Sequence, residues 1–309
     1  MTSLTLRPIT GPDELPLFCQ LRYQLDKELD RDLADGRRRP EWLWVALRDD
    51  RVVARLGWWT FRAGEDPYVL DFFDFDESPG SVEVALELFA AATAAVFGPG
   101  ATMPQYIRFT PPDWHDDPVA NRVVTDRITA LESTGARMLV ERLRLEWLPS
   151  AGVPAAKGEL AFRVPTGRDE LVGLMTDVLE GTLDAHSQAE LTRMKPAEQA
   201  NQQYDEELLG YSTPREWWRV GVRDDGTPVG FVIPARNSYN PIIAYIGVVP
   251  AHRGKGYIDE LLAEGTRVLA GEDVPRIRAA TDVGNVPMAK AFARAGYRVF
   301  ERQVDMTWE

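Results

Sequence analysis

Apolar and polar positions along this chain change period repeatedly, and each change predicts an element. Residues 242–249 are a short, nearly unbroken apolar run stopped by Pro250, as expected of a central strand. Beyond Gly256 an apolar-periodic stretch carrying Ile258, Leu261, Leu262 and Val268 predicts a helix over 257–270. Elsewhere in the second half, the pattern predicts a strand near 159–164, a helix from about 169 to 180 and a helix-rich region over 187–209. A hairpin over 218–235, a short strand at 276–280, a helix at 286–295 and a final strand pair within 297–308 complete it. The first half repeats parts of this, with a strand at 68–75, a helix at 82–97 and a strand at 106–109. Helices and strands interleave, with hairpins as well as crossovers. The fold class expected is therefore α/β, in the form of mixed, mostly antiparallel sheets flanked by helices.

The two halves also correspond in detail. Val45-Ala46-Leu47-Arg48-Asp49-Asp50 aligns with Val220-Gly221-Val222-Arg223-Asp224-Asp225, each a strand running into an Asp-rich turn. Leu131 to Arg137 aligns with Phe292 to Arg298, each a helix ending at a glycine (Gly135, Gly296) suited to a left-handed cap. The openings, Leu6-Arg7-Pro8-Ile9 and Phe162-Arg163-Val164-Pro165, agree as well. Three correspondences in one order predict a duplicated unit. The Pro/Gly/Ala-rich stretch 150–158 reads as the linker, giving domains 1–149 and 159–309.

Chemistry concentrates after Pro250. Strand, Gly-rich turn and helix start together form an anion site, because unpaired main-chain N–H groups and the helix dipole face the same way. Gly254 and Gly256 remove the Cβ that would keep a phosphate away, and Arg253 and Lys255 add positive charge. The loop has neither the spacing and Lys-Ser/Thr ending of an NTP-binding loop nor the three glycines of a dinucleotide fingerprint. Val248-Val249-Pro250-Ala251-His252-Arg253-Gly254-Lys255-Gly256 resembles the signature of the GNAT acyltransferases, and Asn285 with Gly296-Tyr297 resembles their second signature. The likeness is strong over 215–309, fair back to about 160, and rests on the repeat alone before that. It looks like the duplicated, mycothiol-synthase-like arrangement, in which only one unit keeps a cofactor site.

That resemblance implies acetyl-CoA, or another acyl-CoA, as cosubstrate. Its diphosphate would be held by Arg253, Gly254, Lys255, Gly256, Tyr257 and Ile258. Its pantetheine arm would lie along Ile246, Gly247 and Val248, where two strands splay apart, with Asn285 on the other side and Phe292 in the last helix. A plain helix cap is the other reading of Asn285. In the first half, the corresponding loop is Asp74-Phe75-Asp76-Glu77-Ser78-Pro79-Gly80. Its three carboxylates, repelling by about 4 kcal/mol for charges near 4 Å apart, predict that no diphosphate binds there. The first half is then a degenerate, structural unit that shapes the substrate cleft.

Composition narrows the partners. The chain of 309 residues is about two domains long, and 44% apolar residues can supply a core to each. A formal charge of −13 speaks against nucleic acid and mildly favours a cationic amine. No apolar run is long enough for a membrane span, and residues 1–8 lack the pattern of a signal peptide, so no membrane partner is expected. The single cysteine, Cys19, excludes internal disulfides and cysteine-based zinc, and fits a cytoplasmic setting. His115, His186 and His252 share no helical spacing, so no metal is expected.

Acyl transfer to a primary amine needs a proton removed, since only about 0.04% is neutral at pH 7. The resemblance would place a Glu on the central strand and a Tyr in the last helix. This sequence has neither, and the latter position is Phe292. Tyr245 and His186 are the substitutes available, while Ile258 stands where the family commonly has Gly or Ala. His252 is expected at the surface, His115 in a structural role and Trp217-Trp218 in the core. Asp177, Glu180, Asp184 and Glu190 form either an amine-attracting group or a solvated face. The expected function is acetylation of a small-molecule amine by a monomer or homodimer. A weak acyl-CoA-binding module, or an enzyme for larger acyl groups or protein amines, are the alternatives.

Overall fold

Pro228–Arg236 and Pro241–Val248 are the strands around which the C-terminal part of the chain is organised. Residues 4–98 and 101–308 are described in the computed structural model. The chain divides into two units, Met1–Glu141 with Gln303–Glu309, and Arg142–Arg302.

In the first unit, strands β1 (Leu4–Pro8), β2 (Leu43–Arg48), β3 (Arg51–Trp59) and β4 (Val69–Phe75) pair antiparallel in that order. β5 (Gln105–Thr110) joins β4 in parallel. Short helices α1 (Leu15–Phe18) and α2 (Leu29–Ala34) follow β1, while α3 (Ser81–Phe97) and α4 (Pro118–Glu132) flank β5 in sequence. α4 starts at Asp117, whose carboxylate accepts the N–H groups of Val119 and Ala120. Leu56, Trp58, Phe73, Leu88 and Tyr106 are the centre of one core cluster, and Phe18, Leu43 and Phe72 of another.

The second unit repeats the plan. β7 (Ala161–Arg163), β8 (Arg219–Val222), β9 (Pro228–Arg236) and β10 (Pro241–Val248) are antiparallel, and β11 (Ile277–Asp282) joins β10 in parallel. β6 (Arg137–Trp147) lies next to β11, its residues 142–147 antiparallel to it. Between β7 and β8 lie α5 (Arg168–Leu179), α6 (Ala185–Glu190) and α7 (Pro196–Gln202). α8 (Tyr257–Ala270) and α9 (Val286–Arg294) flank β11 in sequence. Leu261, Leu262 and Leu269 of α8 meet Val232, Ile243 and Ile277 in one core, and α5 packs Leu171, Met175 and Leu179 with Trp218 and Phe231 in another.

Two expectations change. The segment 297–308 holds one unbroken strand, β12 (Arg298–Thr307), because nothing within it breaks the extended run. Its residues 303–307 belong to the first unit, where β12 neighbours β5. The units therefore divide inside β6 and β12, away from the expected join at 150–158. That stretch is fastened within the second unit: the Trp147 indole N–H donates to the Gly152 carbonyl at 2.9 Å. Among the described residues no helix is long and apolar enough to cross a membrane, and no group of three or more His, Cys, Asp or Glu could hold a metal ion.

Candidate functional site

β10 and β11 meet in register at one residue pair, Ile242 and Arg278. The cause lies in β10. Its pairing with β9 shifts between Ile243 and Tyr245, a bulge at Ala244 that bends the strand. Beyond it, Ile246, Gly247 and Val248 stay paired to Val232, Phe231 and Gly230 of β9. Their other edge faces the widening gap. Gly230 makes this close approach possible, because a Cβ there would lie 2.2 Å from the Gly247 carbonyl oxygen. Gly247 in turn admits Val178 of α5, which a Cβ would meet at 2.9 Å.

The gap leads to the glycine loop. A single helical turn, Pro250–His252, precedes Arg253, and both Gly254 (φ 76°) and Gly256 (φ 86°) adopt left-handed backbone. Gly256 is the cap of α8. The N–H groups of Gly254, Lys255 and Gly256 donate to no acceptor among the described residues, and those of Tyr257 and Ile258 open the first turn of the helix. A Cβ at Gly254 would meet nothing within 4 Å, so the turn is open on that side. Five successive donors at a helix start fit a diphosphate well.

The charged side chains of the loop behave differently from expectation. Arg253 does not reach outward. Its Nε donates to Val248 O at 3.1 Å, Nη2 to Val178 O at 2.8 Å and Nη1 to Glu180 O at 2.6 Å. It thus closes the C-terminal end of α5, where carbonyls lack helical partners. Lys255 Nζ donates to Ala251 O at 3.2 Å. His252, expected at the surface, is half-buried with its ring edge-on to Tyr257.

On the far side of the gap, Asn285 caps α9, its side-chain oxygen accepting the Met288 N–H at 3.3 Å. That oxygen is committed to the helix. Phe292 is 1% exposed and packs edge-on to Tyr297, so its side chain belongs to the core and not to a ligand surface.

Tyr245 and His186 are the sequence candidates for proton transfer. Burial pushes the Tyr245 phenol up, and the carboxylates of Asp184 and Glu207 add to the shift. It is therefore a neutral donor at pH 7 and a poor base. His186 lies on α6, half-buried. Asp282, which the sequence did not single out, ends β11 with 2% exposure. Burial raises its carboxyl; the Ala185 N–H, donating at 2.6 Å, and Arg142, its cross-strand partner at 3.0 Å, oppose the rise. Asp184 acts electrostatically on both Tyr245 and Asp282, and His186 acts on Asp282, so the four share a neighbourhood. Asp184 also caps α6 through the Ser187 N–H, which gives it a local structural task.

The matching place in the first unit is built otherwise. β4 and β5 also pair at only two positions, Val69–Gln105 and Leu70–Tyr106. Beyond them, Asp74 binds Arg55, Arg108 and Arg127 at 3.0–3.3 Å. The Phe109 N–H of β5 donates to the Tyr23 hydroxyl at 2.8 Å. Asp76 accepts the Ser78 N–H and pairs with Arg51, and Glu77 pairs with Arg122. The three carboxylates are thus compensated, which corrects the expectation of mutual repulsion. What stands against a diphosphate here is that an internal carboxylate already uses a loop donor. His115 stacks on Trp114 and binds Glu141.

Comparison with known proteins agrees with this geometry. Residues 182–297 match the model of the acetyltransferase (GNAT) family. The match lies within the second unit and supports an N-acyltransferase; reactions of that family use acyl-CoA. No curated protein matches the sequence. Among solved structures, the chain is similar to a GCN5-related N-acetyltransferase from Sphaerobacter thermophilus, at 15% identity and TM-score 0.57, covering 98% of this chain and 94% of that one. It is also similar to a tandem GNAT protein from the clavulanic acid biosynthesis pathway, at 17% identity and TM-score 0.53, covering 99% and 98%. A GCN5-related N-acetyltransferase from Kribbella flavida gives 15% identity and TM-score 0.51 over 91% and 93%. At such identities the likeness is one of fold, and it agrees with mixed sheets flanked by helices.

Proposed function

We propose that this protein is an acetyl-CoA-dependent N-acetyltransferase acting on the amine of a small molecule, with the carrier held by the second unit alone. The observation that supports this reading best is the bulged β10, which leaves β11 and opens onto the unpaired N–H groups of Gly254, Lys255 and Gly256. Those donors, with Tyr257 and Ile258, would hold the diphosphate. The free edge of Ile246, Gly247 and Val248 would pair the pantetheine amides as an added strand does. When bound, acetyl-CoA supplies the acyl group as a thioester. The chain's own residues must orient the amine, take its proton and offer a main-chain N–H near Val248 to the acyl oxygen. We assign uptake of the amine proton to His186; the C–S bond breaks as the amide forms, and the neutral Tyr245 phenol would offer a hydrogen bond to the departing thiolate, which takes its proton from solvent. The first unit is a degenerate copy, a reading supported by its compensated Asp74, Asp76 and Glu77 and by the lack of a glycine pair.

Thiol release from acetyl-CoA, followed over a panel of small amines and lysine peptides, tests the reading. Turnover with at least one small amine is expected, and Gly254→Glu should abolish both binding and turnover, since it sets a carboxylate against the donors. Full carrier affinity in that variant would remove the loop from the site. Carrier binding without release on any amine would leave a binding module instead.

A further inference from the structure

Lys157 lies in the stretch that reads from sequence as a linker, yet the fold sets it beside the glycine loop. The device is Glu260, the fourth residue of α8, 1% exposed. Its carboxylate accepts three successive main-chain N–H groups: Gly158 at 3.2 Å, Glu159 at 3.1 Å and Leu160 at 3.3 Å. Gly158, with φ +83°, supplies the left-handed turn that lets neighbouring N–H groups converge on one anion. Three charge-assisted bonds to a buried group fix the chain just after Lys157. The consequence appears at Gly256, where an added Cβ would lie 3.1 Å from Lys157 Nζ.

Lys157 thus stands at the start of α8, whose own first turn already carries the carboxylates of Asp259 and Glu260. A helix N-terminus carries partial positive charge, and cations are stabilised at the other end. Lys157 is exposed and pairs with no carboxylate among the described residues. Arg253 and Lys255 direct their donors at carbonyls of the chain. Among the described residues Lys157 is then a cation beside the loop with no acceptor of its own, placed to meet an anion at Gly256.

We propose that Lys157 is a phosphate-binding residue of the carrier site, serving the diphosphate at Gly256; this rests on the acyl-CoA reading above. Calorimetric titration of the full chain with CoA and with dephospho-CoA, which lacks the ribose 3′-phosphate, tests it. Lys157→Ala should weaken both ligands by the same factor, roughly tenfold at low salt. The gap should narrow as ionic strength rises. Lys157→Arg should keep most of the affinity, and both variants should melt with the wild type because the side chain is exposed. Equal affinity of wild type and Lys157→Ala overturns the proposal while leaving the carrier site in place. A loss confined to CoA overturns the diphosphate placement. A wild-type chain that binds neither ligand overturns the acyl-CoA reading itself.

Discussion

The guanidinium of Arg253 has three nitrogens, and each donates to a main-chain carbonyl, at Val248, Val178 and Glu180. A side chain expected for its charge is used for its forked shape. The carbonyls of Val178 and Glu180 lie at the end of α5, beyond the reach of helical donors, so losing Arg253 returns them to water and frees the turn that leads to α6. Arg253→Ala should lower stability by about 1–2 kcal/mol, a modest figure because the site is solvent-exposed. Arg253→Lys should not restore it, since one ammonium cannot span three separate acceptors. Urea denaturation of the three proteins decides the matter. Full rescue by lysine would mean that charge, not the fork, is what the turn requires.

At the scale of elements, α8 depends on a close approach to β9. Gly265 faces Val232, and a Cβ at that position would lie 2.6 Å from a Val232 methyl, with Ile243 at 3.0 Å. Alanine normally favours a helix interior by up to about 1 kcal/mol over glycine. Here overpacking should win, and Gly265→Ala should cost about 1–3 kcal/mol. Gly265→Ala with Val232→Ala should recover part of that loss; a stabilised single variant would show that the helix shifts without cost. The helix itself was legible in the sequence, at 257–270, because glycine, apolar period and length all agree. β10 and the loop were legible for the same reason, since proline, glycine and apolar runs act locally. The bulge at Ala244 was not, because it depends on pairing with β9. Nor was the single strand β12, whose pairing partners lie far away in sequence. Asp282, the commitment of Arg253 to carbonyls and the hold of Glu260 on residues 158–160 were hidden likewise. Each joins positions distant in sequence, and no spacing rule records them.

Across the molecule, the two units share a strand plan but differ in what fills the place beside the splayed parallel strands. The second leaves free main-chain donors there; the first fills it with ions. Burial by itself would push the Asp74 carboxyl up, but Arg108, Arg55 and Arg127 outweigh it and hold it at about 2. A carboxyl depressed on folding contributes stability above its unfolded pKa, near 3.9, and loses it as pH falls through the folded value. The window is therefore about pH 4 down to 2, and the amount on the order of 2 kcal/mol. Asp71 runs the opposite way: burial raises its carboxyl against the pull of Arg38, so its contribution is present at low pH and lost as pH rises through the folded value. The net acid slope of the wild type mixes both, and a variant is needed to separate them. Asp74→Asn keeps the shape but leaves the buried guanidinium groups of Arg108 and Arg127 without a carboxylate and Arg55 with Asp26 alone, so it should cost about 3–5 kcal/mol at pH 7. It should also flatten the fall between pH 4 and 2, because the group that titrates there is gone. Urea midpoints of wild type and variant from pH 7 to 2.5 would show the two curves converging on the acid side. Parallel curves would mean that Asp74 is not what acid attacks in the first unit.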